Sequence, residues 1–261
     1  MRLGAVLEKR GLTMATLILL RHGESVWNRQ NRFTGWVDVS LSKEGIAEAE
    51  RAAALLREER LDVVFTSALL RAQDTAYEVL KRNRHCSHYV RVHEGPKRGW
   101  YEHFVAMPSE TTELKIYVSE MLNERYYGDL QGMRKDEAAI RFGGQQVHQW
   151  RRSYDIAPPS GESLQMTAGR VMPYYHERIA PRLRLGQAAL VCAHGNSLRA
   201  LIKHIEELTP EEIVSYEVKT GAPIVYRFEA DLTLSGKHLL EAKEDYAASM
   251  TSDATKDREE Q

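Results

Sequence analysis

The sequence predicts an α/β fold in which helices pack on a mostly parallel central sheet. Short, mainly apolar runs occur at 16–20, 61–65 and 188–193, and such runs are typical of strands buried on both faces. The first two runs are followed by helical patterns at 43–59 and 69–80, which gives the β-α-β rhythm of a parallel sheet. A chain of 261 residues is long enough to bury the core of one such domain.

Further elements are predicted along the second half of the chain. They are helices at 135–152, 163–185 and 196–207 and a strand at 223–228. Residues 157–161 are predicted to be a loop, because the two prolines and the glycine there cannot continue a helix. Residues 81–121 lack a clear period, so we expect a partly inserted, irregular region there.

The folded domain is predicted to cover residues 14–231. Residues 1–13 are predicted to be an N-terminal extension, whose apolar stretches are too short and too charged for a membrane span or a secretory signal. Residues 232–261 contain many charged and few large apolar side chains, so we expect a mobile C-terminal tail.

The overall charge argues against two classes of partner. The chain has 36 Lys and Arg against 37 Asp and Glu, a net charge of -1, and so offers no general basic field to nucleic acid or to a membrane. Any anion site must therefore be local. The two cysteines, Cys86 and Cys192, do not form a disulfide framework, which fits a reducing cytoplasm.

Two predicted strands end in the same way, with a histidine and a glycine. Arg21-His22-Gly23 follows the first strand, and Ala193-His194-Gly195 follows the strand at 188–193. Ligands of open parallel sheets collect at these strand ends. A single histidine there is more often a structural residue, but two with matching flanks indicate a site.

The residues around these histidines are suited to phosphate. Gly23 and Gly195 allow the backbone to approach a ligand, and the helix that begins near Asn196 presents free N–H groups to an anion. Arg21 and Arg71 can offer forked donors to phosphate oxygens. A neutral imidazole held among such groups is a competent nucleophile toward phosphorus, so His22 is predicted to be phosphorylated while His194 helps to hold the group.

Several ordered sequence blocks resemble the histidine phosphatase superfamily. They are LLRHGES (19–25), WN (27–28), FTGW (33–36), LSKEG (41–45), TS (66–67), RA (71–72) and HGNS (194–197). Other blocks are similar to the bisphosphoglycerate-dependent phosphoglycerate mutases, namely LNER (122–125), YG (127–128), LQG (130–132), Lys135, WRRSYD (150–155), Pro159 and GES (161–163). The resemblance covers about residues 15–80 and 122–228, and so many ordered blocks are highly specific.

The resemblance implies a fold and an activity. The fold would have three layers, α/β/α, as in phosphoglycerate mutases. The enzyme would interconvert 3-phosphoglycerate and 2-phosphoglycerate in glycolysis and gluconeogenesis, through a phosphohistidine primed by 2,3-bisphosphoglycerate and without a metal. It would act on a small molecule in the cytoplasm, as a homodimer or homotetramer.

The resemblance also implies residue roles. His22 would carry the phosphoryl group, with Arg21, Arg71 and His194 around it, and Glu124 would donate and accept the proton. Residues that contact substrate in the family match Asn28, Thr34, Gly35, Arg71, Tyr127, Lys135, Arg151, Arg152, Gly195 and Asn196. Glu24 lies in the same motif, but its carboxylate would repel a phosphate, so we expect it to orient a loop or an arginine.

Three alternatives remain open at this point. A phosphatase of the same superfamily would use the same phosphohistidine with water as acceptor, and Lys135 with the Arg151–Arg152 pair favours the mutase over it. A metalloprotein would use Cys192 and His194, with His22 as a further ligand. A catalytically silent relative would act as a binding module, although His22, His194 and Glu124 are all present.

The chain departs from the family at two positions and in one region. Tyr126 and Arg134 stand where many relatives have His and Asn, next to Glu124 and Lys135, so substrate preference could differ. The region 81–121 is longer than in the family by about two dozen residues, a length that a surface loop can accept.

Overall fold

A seven-stranded sheet forms the centre of the protein, in a computed structural model that describes residues 14–93 and 113–241. The strands are β1 (Ala15–Arg21), β2 (Val63–Ser67), β3 (Tyr89–His93), β4 (Leu114–Ser119), β5 (Ala188–Ala193), β6 (Ile224–Phe228) and β7 (Leu234–Leu239). Their order is β3-β4-β2-β5-β1-β6-β7. Neighbours from β3 to β1 are parallel, whereas β6 and β7 are antiparallel, so the prediction of a mostly parallel sheet is confirmed.

The central strands divide their side chains between two cores. In β1, Leu17 and Leu19 pack into one core while Ile18 and Leu20 pack into the other. The alternation follows from the two-residue repeat of a strand, and both sets are apolar because each face of the sheet is covered.

Helices cover both faces of this sheet. They are α1 (Val26–Arg29), α2 (Lys43–Leu55), α3 (Leu70–Arg82), α4 (Lys135–Phe142), α5 (Gly144–Arg152), α6 (Leu164–Tyr174), α7 (Ala180–Arg184), α8 (Gly195–Ile205) and α9 (Pro210–Ser215). Buried side chains of α2 and α3 join the core that contains Ile18, and those of α6, α7 and α8 join the core that contains Leu17. The three-layer α/β/α fold is therefore confirmed. Within the described ranges, no helix combines the length and apolar character needed to cross a membrane.

Several predicted boundaries shift in the structure. The strand predicted at 61–65 runs instead from Val63 to Ser67, so Ser67 ends the strand rather than following it. The helix predicted at 135–152 is broken at Gly143, whose φ of 85° no helix can contain. The helix at 163–185 includes a π-helical turn, Tyr175–Ile179, just before Pro181, which has no N–H to donate.

Two segments that were predicted to lack regular structure contain strands. Within 81–121, β3 and β4 extend the sheet by two parallel strands, so the expectation of irregular chain is wrong there, and 94–112 lies outside the described residues. Within the predicted mobile tail, Leu234–Leu239 form β7 against β6, whereas 242–261 lies outside the described residues. Charged or polar residues interrupt the apolar ones in these strands, which hid them from a search for unbroken apolar runs.

Candidate active site

Two histidines meet at the carboxyl edge of the sheet. β1 and β5 are parallel neighbours in which Arg21 pairs with Ala193, so the next residues, His22 and His194, emerge side by side. The backbone N–H of His22 donates to the carbonyl of Ala193 at 3.0 Å, and the ring centroids of the two histidines lie 4.8 Å apart. Both side chains are buried.

The His22 ring is held in one tautomer. Its Nδ1 lies 2.6 Å from the carbonyl oxygen of Gly23. A carbonyl can only accept, so Nδ1 carries the proton and Nε2 keeps its lone pair. Burial, followed by the charges of Arg71 and Arg21, holds the pKa of His22 well below its ordinary value of 6.5. His22 is therefore a neutral imidazole with a free basic nitrogen.

Gly23 has a different role from the predicted one. A Cβ on Gly23 would lie 2.1 Å from the carbonyl oxygen of Gly45 in α2. The glycine therefore permits close packing of the loop against α2 rather than approach of a ligand.

His194 is fixed by hydrogen bonds at the start of α8. Its Nε2 lies 2.7 Å from the Ser67 hydroxyl at the end of β2, and its backbone N–H donates to Ser197 Oγ at 3.1 Å. Burial and then the charges around it, with Arg71 first, hold its pKa well below 6.5. Its Nδ1 is buried without a partner in the described chain.

Arg71 lies at the start of α3 and ties the site to a neighbouring loop. Its guanidinium donates to the carbonyls of Gly35 at 2.8 Å and Val37 at 3.0 Å. Burial, partly offset by the Glu124 carboxylate, lowers its pKa to about 10. Arg21 is similarly anchored, since it donates to the carbonyl of Val218 at 2.8 Å.

Glu124 lies in the loop that follows a 3₁₀ turn, Glu120–Leu122, at the end of β4. Its Oε1 accepts hydrogen bonds from Asn196 Nδ2 at 2.7 Å and from the Arg125 backbone N–H at 2.6 Å. Asn196 stands on the first turn of α8, directly after His194 and Gly195. The carboxylate is thus connected to the helix that also follows His194.

These residues surround a cavity of about 320 Å³. Every predicted site residue lines it except His194, which lies behind the His22 ring. The lining is Arg21, His22, Asn28, Arg32, Phe33, Thr34, Gly35, Arg71, Glu124, Arg125, Tyr127, Lys135, Arg151, Arg152, Gly195, Asn196, Arg199, Ser215 and Glu217. Eight of these side chains are cationic and two are carboxylates, so the cavity is suited to a ligand with several negative charges.

The crowding of cations is visible in their proton affinities. Burial, and then the charge of Arg151, lowers the pKa of Lys135. Burial likewise lowers the pKa values of Arg151 and Arg199, with neighbouring arginines adding to the effect. A bound anion would relieve this repulsion, because each cation would then face an opposite charge.

The sequence matches one family over most of its length. The sequence model of the Histidine phosphatase superfamily (branch 1) matches residues 17–95 and 104–234. The chain belongs to this superfamily. The resemblance identified from the sequence is therefore confirmed.

Named relatives define the family more closely. A 2,3-bisphosphoglycerate-dependent phosphoglycerate mutase of Pseudoalteromonas atlantica is 58% identical over 228 residues, which cover 87% of this chain and 100% of the relative. An enzyme of the same name from Staphylococcus carnosus is 44% identical, with coverage of 87% and 100%. Within the superfamily, the chain is thus a member of the bisphosphoglycerate-dependent phosphoglycerate mutase family.

Two solved structures share the fold. A structure described as mycobacterial hydrolase 2 aligns with a TM-score of 0.67 at 21% identity, covering 92% of this chain and 97% of its own. A mycobacterial glucosyl-3-phosphoglycerate phosphatase aligns with a TM-score of 0.63 at 24% identity, covering 81% and 92%. At these identities the likeness extends to the architecture alone.

The mutase-family cavity includes residues to which the sequence analysis gave no role. They are Arg32, Phe33, Arg125, Arg199, Ser215 and Glu217. Arg199 follows Asn196 by three positions on α8, so helical spacing could have placed it on the same face. Ser215 and Glu217 come from the end of α9 and the next loop, where no motif marks them.

The two departures from the family pattern do not line the cavity. The Tyr126 ring packs edge-on against Trp36, with centroids 5.8 Å apart, and Arg134 pairs with Asp136 at 2.9 Å on the surface. Glu24 is also outside the lining, where its Oε1 accepts from the Ser42 hydroxyl at 2.6 Å. That contact orients the loop ahead of α2.

The alternative of a metal site at Cys192 and His194 has little support in the structure. Cys192 is buried, and its thiol lies 3.2 Å from the carbonyl of Ala72. In the described parts of the chain, no group of three or more His, Cys, Asp or Glu side chains is arranged to hold a metal ion. Cys192 and His194 therefore gain no third ligand of these types there.

Proposed function

We propose that this protein interconverts 3-phosphoglycerate and 2-phosphoglycerate through a phosphohistidine at His22 that is primed by 2,3-bisphosphoglycerate. The observation that carries the proposal is a neutral imidazole with a free Nε2 in a small cavity of eight cations. The name shared by the relatives supplies the substrate class.

His22 is suited to the role of nucleophile. When 2,3-bisphosphoglycerate loads the site, Nε2 forms a bond to phosphorus while one ester P–O bond of that molecule breaks and a monophosphoglycerate leaves. Arg21 and Arg71 are close enough to depress the pKa of His22, so both can neutralise the charge on the transferring oxygens. The N–H at Nδ1 stays on the Gly23 carbonyl and keeps the ring oriented.

Glu124 is suited to moving the proton. As the P–O bond breaks, the protonated carboxyl would give its proton to the departing oxygen. When the group passes to 3-phosphoglycerate, the carboxylate would take the proton of the 2-hydroxyl while that oxygen bonds phosphorus and the N–P bond breaks. The 2,3-bisphosphoglycerate formed in this way would return its 3-phosphoryl group to His22 and leave as 2-phosphoglycerate. The proton thus leaves Glu124 once and returns once in each cycle.

The same cavity suits the primer. 2,3-Bisphosphoglycerate carries two phosphates and a carboxylate, and Lys135, Arg151 and Arg152 add positive charge beyond the pair beside His22. When bound, it would supply the phosphoryl group that loads His22. The predicted cytoplasmic location and the homodimer or homotetramer remain predictions from the family resemblance.

Replacing the nucleophile tests the proposal. We expect His22→Asn to abolish both phosphoenzyme formation from 2,3-bisphosphoglycerate and mutase activity, because Asn has no basic nitrogen to attack phosphorus. The measurement is acid-labile phosphate bound to protein, with His176→Asn as the control because His176 lies outside the cavity. A His22→Asn variant that still forms phosphoenzyme would contradict the assignment.

A further inference from the structure

Arg170 is a partly buried arginine of α6 that holds the loop carrying Glu124. Its guanidinium donates to the carbonyl oxygens of Met121 at 2.8 Å, Asn123 at 3.0 Å and Glu124 at 2.8 Å. It does not line the cavity. A guanidinium can serve several carbonyls at once because its five N–H donors lie in one rigid plane.

Arg170 is itself held by a carboxylate. Its Nε lies 2.9 Å from Glu162 Oε1, and a terminal nitrogen lies 2.9 Å from Glu162 Oε2. The side chains are only 13% and 17% exposed, so water competes weakly for this two-pronged pair. Glu162 also accepts the backbone N–H of Tyr126 at 2.9 Å, which fixes the loop on the far side of Glu124.

A second donor reaches the same carbonyl from another element. Trp36 Nε1 donates to the Glu124 carbonyl oxygen at 2.5 Å, and the Trp36 ring lies 5.4 Å from the Arg170 guanidinium carbon. Trp36 follows Gly35, whose carbonyl accepts from Arg71. The loop that accepts from Arg71 is thus hydrogen-bonded to the loop carrying Glu124, through the Glu124 carbonyl oxygen.

The hydrogen bonds to the Glu124 carbonyl oxygen also orient the Glu124 carboxylate. The peptide unit between Glu124 and Arg125 is planar, so fixing its oxygen also fixes its N–H, which points the opposite way. That N–H is the Arg125 donor that lies 2.6 Å from Glu124 Oε1. If the oxygen lost its donors, the plane could rotate and the N–H would no longer aim at the carboxylate.

We propose that Arg170 and Trp36 are positioning residues for Glu124 and act through the 124–125 peptide plane. The inference rests on the proposed role of Glu124 in proton transfer. Neither residue supplies a proton or touches phosphate in this account. Their effect is to keep the carboxyl within reach of the reacting oxygen.

The first test compares single variants. We expect Arg170→Gln and Trp36→Phe each to lower kcat by about tenfold to about a hundredfold with KM changed little, since a small misplacement of a catalytic group has such an effect. Arg170→Lys should recover only part of the loss, because an ammonium cannot serve three carbonyls in one plane. Arg182→Gln, which removes a hydrogen bond to Tyr117 away from the cavity, is the matched control.

The deciding test is a double-mutant cycle with Glu124→Gln. If Arg170 acts only through Glu124, the Glu124→Gln/Arg170→Gln protein will be as slow as Glu124→Gln alone. A double variant whose loss of kcat equals the product of the two single losses would overturn the positioning role, and so would a wild-type kcat in Arg170→Gln. A Glu124→Gln protein with wild-type kcat would instead overturn the proposed function of Glu124.

The choice of variant for the double-mutant cycle depends on whether Arg170→Gln folds. If thermal unfolding shows that Arg170→Gln does not fold, Trp36→Phe and its double variant with Glu124→Gln give the same comparison. Trp36→Phe keeps an aromatic ring beside Arg170 and removes the N–H donor together with the five-membered ring of the indole. The inference would then be refuted if folded Trp36→Phe had an unchanged kcat. It would also be refuted if the double variant with Glu124→Gln lost kcat by the product of the two single losses.

Discussion

The two imidazoles at the end of β1 and β5 are kept neutral by their surroundings. His22 and His194 are buried beside Arg21 and Arg71, and a protonated ring there would lose hydration and face two positive charges. Neutrality is what a nucleophilic imidazole requires, because a protonated Nε2 has no lone pair to offer. The same environment makes the folded state sensitive to acid.

We expect acid to destabilise the ligand-free protein through these histidines. In the unfolded chain an imidazole titrates near its ordinary pKa of 6.5, whereas the folded pKa values of His22 and His194 lie well below it. Between those values the unfolded chain binds more protons, so the free energy of unfolding must fall as pH drops below about 6.5.

Urea unfolding of wild type and His22→Asn between about pH 7 and about pH 5 measures this effect. The variant has one fewer depressed imidazole and lacks the His22 charge that helps to lower the pKa of His194, so it should lose less of its unfolding free energy across the range. Equal losses in the two proteins would mean that His22 does not carry the expected proton linkage.

At the scale of elements, a strand is predictable from the sequence when its apolar run is unbroken. β1 and β5 are covered on both faces, so they form unbroken apolar runs that a sequence reveals. β4 reads LKIYVS and β7 reads LSGKHL, where charged or polar residues interrupt the apolar ones. Their assignment depends on neighbours in the sheet, which no local pattern of the chain records.

The site residues divide in a similar way. The predicted residues, among them His22, Arg71 and Glu124, belong to sequence blocks whose order and composition are distinctive. The structure brings nearly all of them to one cavity. Arg32 and Arg199 reach the same cavity by side-chain direction, and Ser215 by the course of the chain after α8. Such convergence depends on tertiary packing, which becomes visible only in the folded structure.

A glycine controls how one loop element delivers Tyr127 to the cavity. Gly128 has a φ of 53°, and a Cβ there would lie 2.1 Å from the carbonyl oxygen of Pro159. We expect Gly128→Ala to lower the free energy of unfolding by about 2 kcal/mol or more, since a strained left-handed residue and a backbone clash would both be introduced. Chemical denaturation measures the loss.

Gly144, at the start of α5, provides the matched control. A Cβ there meets no atom within 4 Å, so Gly144→Ala should change stability by no more than about 0.5 kcal/mol. Equal stability of the two alanine variants would refute the packing role assigned to Gly128.

For the whole molecule, the important contrast is between net charge and local charge. The chain carries a net charge of -1, yet eight cations and two carboxylates line the cavity. A concave, predominantly positive site concentrates anions, and this field requires no excess of basic residues elsewhere. Substrate capture should therefore depend on salt more than the chemical step does.

We expect added sulfate to raise KM for phosphoglycerate while leaving kcat nearly unchanged, because the anion competes for the cationic cavity and screens its field. Steady-state assays over a sulfate series measure this, with sucrose at equal concentration as an uncharged control. A fall in kcat at constant KM would show that anions act somewhere other than the substrate cavity.

The most direct test of the proposed function is an assay of the purified protein with 3-phosphoglycerate, with and without 2,3-bisphosphoglycerate, in which 2-phosphoglycerate and free phosphate are followed together. The phosphohistidine at His22 has to be loaded by the bisphosphate and has to return its group to a sugar-acid hydroxyl. Rapid isomerisation that depends on the primer and releases little phosphate is the predicted result. Release of phosphate without isomerisation would contradict the account and identify the acceptor as water.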